Sequence, residues 1–432
     1  MIWDPKHECM SRAELEELQL SRLQETVARV YERVPFYRQA MDARGVRPTD
    51  IRTLADVRLL PMTTKEDFRK NYPFGLFAVP SKELVRIHAS SGTTGKSTVV
   101  GYTKRDMETW TDLVARMVST AGVTSDDVVQ VVFGYGLFTG GFGLHYGLER
   151  VGATVIPAAA GKSRRQIMLM QDFGTTVLVG TPSYVLHLAE VAEAEGVNPQ
   201  ELPVRLGLFG GEASSREMLQ EIERRWGILA TDNYGLSEVL GPGISGECEY
   251  RDGQHIAEDN FLVEIIDPVT GEPCPPGVKG EVVITNLNKE ALSVLRYRTH
   301  DISSINYEPC RCGRTTARLS KITGRTDDML IIRGVNVFPS QVESVLMEIE
   351  GVSPHYQLVV SKRNYLDELE VRVEVDPNFF SDRYRCLEEL EERIGDLLNT
   401  TLQLKAKVRL LEPNSIERSE GKAQRVIDLR NK

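Results

Sequence analysis

Between about residues 105 and 240 the chain alternates short apolar runs with longer amphipathic stretches, and this alternation narrows the fold more than any other feature. The runs at 128–133, 153–156, 176–179 and 206–209 are short and apolar, and helical patterns separate them. Such alternation predicts a parallel sheet covered by helices. The texture then turns β-rich, with a strand at 261–266, a Pro/Gly turn at 275–280 and a strand at 281–285, which predicts a β-rich subdomain. Beyond Gly324 the pattern restarts. A helix begins at Ser340, where Ser340 and Glu343 read as a capping box, and an alternating strand at 369–375, a helix at 384–399 and a strand at 408–411 follow. This last stretch predicts a compact α+β unit. Ahead of the alternation, residues 13–33 place Leu15, Leu18, Leu23, Val27 and Val30 on one helical stripe, a helical cap followed by a loop-like segment through Pro61. The expectation is an α/β chain: a large N-terminal part with parallel-rich sheets and a β-rich subdomain, then a small α+β part.

A chain of 432 residues is too long for one ordinary core and predicts two or three domains. Acids and bases are interspersed with a net charge of −10 and no basic stripe, which argues against nucleic acid as a partner. The start, Met1-Ile2-Trp3-Asp4-Pro5-Lys6, has no apolar core before a cleavage site, and no apolar run is long enough to cross a bilayer, so a cytoplasmic enzyme without a membrane partner is expected. Six cysteines are too few for a disulfide scaffold in a chain of this length and read as reduced thiols or metal ligands.

The run His88-Ala89-Ser90-Ser91-Gly92-Thr93-Thr94-Gly95-Lys96-Ser97-Thr98 follows a strand pattern at 83–89. Its N–H and O–H groups all donate toward oxygen anions, and Lys96 adds positive charge, so it reads as a phosphate-binding loop. It departs from the Walker pattern, because the position of the first required glycine holds Ser90. Affinity for phosphate is as far as this loop alone reaches.

Further motifs select among phosphate chemistries. Tyr234-Gly235-Leu236-Ser237-Glu238, Tyr297-Arg298-Thr299-His300-Asp301, Gly324-Arg325-Thr326-Asp327-Asp328 with Arg333 to Pro339, and Arg418 to Arg425 around Gly421-Lys422 occur in the order found in the acyl-adenylate-forming superfamily, which the chain resembles. Within it the chain resembles the phenylacetate-CoA ligase family over essentially its full length. That resemblance includes Trp3-Asp4-Pro5, Val34-Pro35-Phe36-Tyr37, Phe133 to Gly141 and His145-Tyr146-Gly147. Ser97 stands where the family often has proline, and His300 where it often has arginine.

The resemblance implies an N-terminal ATP- and aryl acid-binding domain at 1–326 and a mobile C-terminal domain at 327–432. It implies ATP, Mg2+ and CoA as reactants and cofactor, and leaves room for a homodimer. Ser90, Ser91, Gly92, Thr93, Thr94, Gly95 and Lys96 would surround the phosphates, Tyr234 would stack on adenine, and Asp301 would accept the ribose hydroxyls. Asn233, Gly235, Ser237, Gly211 and Glu212 complete the nucleotide side, and Glu238 would hold Mg2+. Arg325 would contact the nucleotide, Asp327 would be the hinge, Gly334 would leave room for the pantetheine arm, and Lys422 would bridge carboxylate and α-phosphate. An aryl-acetate would become an acyl-adenylate and then a CoA thioester, releasing pyrophosphate and AMP. Tyr135, Phe138 and Phe142, with Gly210 at the floor, provide aromatic surface for the acyl group, although a core role is equally open to each ring.

Cys248, His255, Cys310 and Cys312 form a separate constellation whose three thiols and one imidazole suit structural, tetrahedral zinc. Burial as separate reduced residues stays open, because the two halves are far apart in sequence. Two rival functions also stay open: adenylation of another carboxylate such as indole-acetate or benzoate, and a P-loop kinase, which would release ADP in place of AMP.

Overall fold

The computed structural model describes residues 1–90, 97–333, 335–363, 366–376, 379, 384–419 and 423–430. They form two compact units, one of 1–180, 202–211 and 231–322, the other of 181–201, 212–230 and 323–432.

The first unit starts with helices α1 (Pro5–Glu8), α2 (Arg12–Arg33), α3 (Pro35–Asp42) and α4 (Lys65–Lys70). A capping box between Ser11 and Glu14 starts α2, and its buried stripe includes Leu15, Leu23, Val27 and Val30. The segment expected to be loop-like contains α3, with Pro35 at its first turn. Proline there removes an N–H that would have no helical partner and presets φ, so it starts a helix in place of breaking one. The hairpin β1 (Arg86–Ala89) and β2 (Val99–Tyr102) flanks the expected phosphate loop, and α5 (Lys104–Ala121) follows.

The expected parallel strands are β3 (Val128–Val131), β4 (Thr154–Ile156), β5 (Val177–Gly180) and β6 (Leu206–Phe209). Between them run α6 (Thr139–Val151) and α7 (Ser163–Phe173). With β7 (Leu229–Leu236), β8 (Gly241–Glu247), β9 (Gln254–Ile256), β13 (Ile305–Asn306) and β14 (Arg318–Leu319) they make a nine-stranded sheet in the order β13-β14-β9-β8-β7-β6-β5-β3-β4. The β3–β6 end is parallel, and β7, β8, β9, β14 and β13 pair antiparallel. The predicted β-rich part appears as β10 (Phe261–Ile266), β11 (Gly280–Asn286) and β12 (Tyr297–Ser303), paired antiparallel in that order.

In the second unit, α8 (Pro182–Ala194) and α9 (Arg216–Trp226) accompany short strands β15 (Gly324–Arg325), β16 (Leu330–Ile332) and β17 (Val335–Val337). Helices α10 (Pro339–Met347) and α11 (Tyr384–Leu402) belong with a sheet of β18 (Val352–Arg363), β19 (Leu366–Val375), β20 (Lys407–Leu411) and β21 (Val426–Asp428), in the order β20-β19-β18-β21. Leu358, Val360, Val371 and Val373 of the sheet share a fully buried core with Ile394 and Leu398 of α11, which lie one helical turn apart. The capping box expected at Ser340 and Glu343 is not formed. Pro339 starts α10, and Gln341 Oε1 accepts from the Phe338 N–H at 2.9 Å, which places the cap two residues earlier. Glu343 instead accepts from the Ser215 N–H at 2.7 Å and the Tyr356 hydroxyl at 3.2 Å.

Helices α5 and α6 touch through glycine. A Cβ at Gly147 would lie 2.4 Å from Val114 Cγ1 and 2.9 Å from the Ala115 backbone nitrogen. Gly147→Ala should therefore destabilise the protein by about 1–3 kcal/mol through overpacking. Gly395, on α11, has only Val408 Cγ2 at 3.9 Å from a built Cβ, so Gly395→Ala should stabilise by about 0.5–1 kcal/mol. Urea unfolding of the two variants should shift the midpoint in opposite directions.

Candidate functional site

Residues 91–96 of the expected phosphate loop lie outside the described residues, as do Gly334 and Lys422. Hairpin β1–β2 carries the loop, and a polar clasp closes its base. The Ser90 N–H donates to the Thr98 carbonyl at 3.0 Å, and the Thr98 N–H donates to Ser90 Oγ at 3.1 Å. The two hydroxyl oxygens are 2.8 Å apart, and the Thr98 hydroxyl lies 3.2 Å from Glu238 Oε1. Threonine has a single hydroxyl proton. Given to the carboxylate, where the bond is charge-assisted, it leaves Thr98 Oγ1 to accept from Ser90. Glu238 is 7% exposed, and among the described residues its nearest cation, Lys65 Nζ, is 4.0 Å away.

The other residues of this unit that are expected on the nucleotide side sit at the end of β7 and on β12. Tyr234 and Asp301, from motifs far apart in sequence, are both buried, and the Tyr234 hydroxyl donates to Asp301 Oδ2 at 2.5 Å. Ser237 meets the Thr139 hydroxyl at 2.8 Å, and the Asn233 side-chain amide donates to the Phe209 carbonyl at 2.6 Å. Gly210 approaches Asn233 so closely that a Cβ would lie 2.5 Å from its backbone oxygen. A Cβ at Gly235 would meet the Gly241 oxygen at 2.2 Å, so β7 and β8 can run this close only without a side chain there. Gly211 has φ +80°, in the left-handed region.

Of the aromatic residues, Tyr135 and Phe142 meet edge to face with centroids 5.2 Å apart. Phe138 packs instead near Phe133, at 6.3 Å. Burial pushes the Tyr135 hydroxyl pKa up, and its oxygen lies 3.3 Å from His145 Nδ1. Phe142 also meets the Arg86 guanidinium at 5.2 Å and His88 at 5.8 Å.

Two residues here were missed from sequence. His88 is 2% exposed, with Nδ1 3.0 Å from the Leu137 carbonyl and Nε2 buried without a hydrogen-bond partner, inside an aromatic box of Tyr102, Trp110 and Phe142. Lys289 is buried, donates to the Val239 carbonyl at 3.0 Å and lies 4.6 Å from the Tyr102 ring centre. Burial pulls its pKa down to about 8, against the attraction of Asp106 and Glu238. A solitary lysine after an asparagine carries no local sign of burial.

In the second unit, Arg325 and Asp327 form a two-pronged pair with both N–O distances at 2.9 Å. The carboxylate of Glu212 accepts from the N–H groups of Ser183 at 2.7 Å and Ala423 at 3.1 Å, and burial raises its pKa.

The cysteine constellation comes together in the first unit. The ligand atoms of Cys248, His255, Cys310 and Cys312 all lie within 4.8 Å of one another. Cys248 Sγ is 3.8 Å from Cys310 Sγ, and Cys312 Sγ is 3.3 Å from His255 Nε2. His255 Nδ1 lies 3.1 Å from the Thr316 hydroxyl, which orients the ring. All six cysteines are free thiols. Among the described residues no helix is long and apolar enough to cross a membrane.

The profile of the AMP-binding enzyme family matches residues 26–288, and that of the AMP-binding enzyme C-terminal domain matches residues 334–430. A phenylacetate-coenzyme A ligase of Thermus thermophilus is 49% identical, with all of both chains covered. The phenylacetate-coenzyme A ligase of Escherichia coli is also 49% identical, over 98% of this chain and 97% of its own. A crystal structure of 2-hydroxyisobutyryl-CoA ligase in the postadenylation state superposes with a TM-score of 0.93 at 31% identity, covering 98% of this chain and 91% of that one.

The shifted lysine makes stability depend on pH. Between pH 8 and the ordinary lysine value of 10.5, the unfolded chain binds a proton at Lys289 that the folded chain does not, so this residue makes stability rise with pH. In chemical denaturation at pH 7.5, 8.5 and 9.5, Lys289→Met should lose that rise, and its stability relative to wild type should be most favourable at the lowest pH.

Proposed function

The chain belongs to the AMP-binding enzymes and, within them, to the phenylacetate-coenzyme A ligases, and from that membership we propose that it joins phenylacetate or a close aryl acid to CoA through an acyl-adenylate. The products are phenylacetyl-CoA, AMP and pyrophosphate. The observation that carries the reading is the clasp from Ser90 through Thr98 to Glu238, which ties the base of a phosphate loop to the carboxylate of the Tyr-Gly-Leu-Ser-Glu motif. A loop that only linked two elements would have no need of a buried carboxylate at its base.

In the first step the aryl-acetate oxygen attacks the α-phosphorus of ATP. The P–O bond to pyrophosphate breaks, and Lys422 offsets charge on the carboxylate and α-phosphate. Residues 90–96 receive the phosphates, while Tyr234 and Asp301 take adenine and ribose. Asn233, Gly235, Ser237, Gly211 and Glu212 shape the nucleotide side, and Arg325 contacts the nucleotide. Glu238 fits a magnesium ligand, being an oxygen donor nearly out of water whose nearest cation among the described residues is 4.0 Å away. Mg2+ held there supplies positive charge to the phosphates. In the second step the CoA thiol attacks the acyl carbonyl and AMP leaves, with Gly334 giving room to the pantetheine arm. Residues 327–432 act as the mobile domain, turning about Asp327. The edge-to-face pair Tyr135 and Phe142 supports an aryl pocket with Gly210 at its floor, to which half-buried Phe138 adds aromatic surface. The cytoplasm, which supplies ATP and CoA, is the compartment this reading requires.

AMP release from ATP should require both phenylacetate and CoA for turnover, and Lys422→Ala should lose adenylation. If ADP accumulates the kinase reading replaces this one, and if only another acid drives AMP release the substrate assignment changes.

Cys248, His255, Cys310 and Cys312 fit structural Zn2+. Tetrahedral Zn–S bonds of about 2.3 Å put sulfur atoms about 3.8 Å apart, the spacing found between Cys248 and Cys310. Four protein ligands leave no open position for catalysis. Purified protein should contain one zinc per chain by elemental analysis, and Cys310→Ser should lose it and lower the melting temperature; metal-free protein with unchanged stability would leave the four as separate reduced residues.

A further inference from the structure

Residues 420–422 are bracketed on both sides by buried carboxylates, Glu374 upstream and Glu212 downstream, and of these Glu374 has no part in the chemistry above. Upstream, the Arg418 guanidinium makes two 2.8 Å hydrogen bonds to the two oxygens of Glu374 on β19. Glu374 is 1% exposed and also accepts from the N–H groups of Asn414 and Ile416, so one carboxylate fastens the whole turn ahead of Lys422. Downstream, the Ala423 N–H donates to Glu212, and the Arg425 guanidinium lies 4.3 Å from the Tyr356 ring centre and donates to the Pro354 carbonyl at 3.2 Å.

A third carboxylate joins these parts. Glu190, on α8, meets His355 Nε2 of β18 at 2.7 Å through Oε1, while Oε2 lies 3.6 Å from Arg418 Nε and 3.5 Å from His187 Nδ1. Burial alone would raise its pKa, yet these partners hold it well below the usual carboxylate range. The carboxylate thus stays charged, and it spans segments some 165 and 228 residues away in sequence.

We propose that Glu190, together with Arg418 and His355, forms a clamp that positions the Lys422 loop for adenylation, making Glu190 a positioning residue for the first half-reaction only. The inference rests on the reading that Lys422 serves that step. Buried charges of this kind add little net stability over an apolar replacement, but they fix geometry: the cost of breaking the pair falls on any arrangement in which Glu190 loses its partners. A displacement of about 1 Å at a reacting group can cost roughly a hundredfold in rate. A clamp remote from the substrates can therefore control one step without touching them.

The test separates the half-reactions in the full-length enzyme. Glu190→Gln keeps the shape and removes the charge. Its ATP–pyrophosphate exchange with phenylacetate should fall roughly ten- to hundredfold, while conversion of supplied phenylacetyl-adenylate and CoA to phenylacetyl-CoA should be unchanged. Arg418→Lys, which keeps the charge but loses the fork, should show the same split in milder form and serves where Glu190→Gln does not fold. Lys422→Ala is run beside them. If it loses exchange while both clamp variants keep theirs, or if both half-reactions fall together with the melting temperature, the clamp is overturned and the ligase reading stands. If Lys422→Ala keeps exchange, the underlying reading fails first.

Discussion

Thr98 is the point on which the first unit's polar chemistry converges. Its N–H and carbonyl close the base of the phosphate loop on Ser90, and its hydroxyl meets the carboxylate of Glu238. A phosphate-binding segment at 91–96, as proposed, would hold its ligand well only if its ends were fixed independently of that ligand. The β1–β2 hairpin supplies that fixation through backbone pairing. Glu238 in turn has its position set by a threonine whose backbone is already committed to the hairpin. The carboxylate and Thr98 are thereby held together, as the proposed shared contact with a triphosphate and its cation would require.

The strands that form the parallel end of the large sheet were legible because each is a short apolar run between helical patterns, and β6 agrees with its predicted bounds residue for residue. The elements that were not legible follow from local ambiguity. The segment after residue 33 reads as loop-like until Pro35 is placed at the first turn of α3, where its missing N–H has no cost. At α10 the capping serine was sought among the usual residue types, whereas Gln341 caps from inside the helix and Ser340 is left within it. Motif matching found Tyr234 and Asp301 separately, but nothing in sequence announced the 2.5 Å bond between them.

The buried charges escape sequence reading for a deeper reason. Lys289, Glu190 and Glu374 lie in stretches of ordinary composition, and their roles come from partners tens to hundreds of residues away. Desolvating such groups is unfavourable unless partners replace water. The chain meets this requirement differently in each case. Lys289 has a carbonyl, a ring face and two carboxylates within electrostatic reach. Glu374 is saturated by a guanidinium fork and two N–H donors. The first arrangement leaves a proton loosely held, while the second leaves almost none of the carboxylate's capacity unused.

That contrast explains a division of labour near the C-terminus. Between β20, which ends at Leu411, and β21, which begins at Val426, the described residues on either side of Lys422 are held by tertiary contacts to Glu374 and Glu212. Arginine suits the anchoring role at 418, because a planar, permanently charged fork matches both oxygens of Glu374 and fixes direction as well as distance. Lysine suits the proposed chemical role at 422, because a compact charge on a flexible stem can follow a phosphate as bonds form and break. Exchanging the two types would put a rigid fork where adaptability is needed and a single-point contact where orientation is needed. The sequence spacing of four residues between them keeps anchor and reagent close in the chain, so the geometry fixed at Glu374 and Glu190 is transmitted over one short segment.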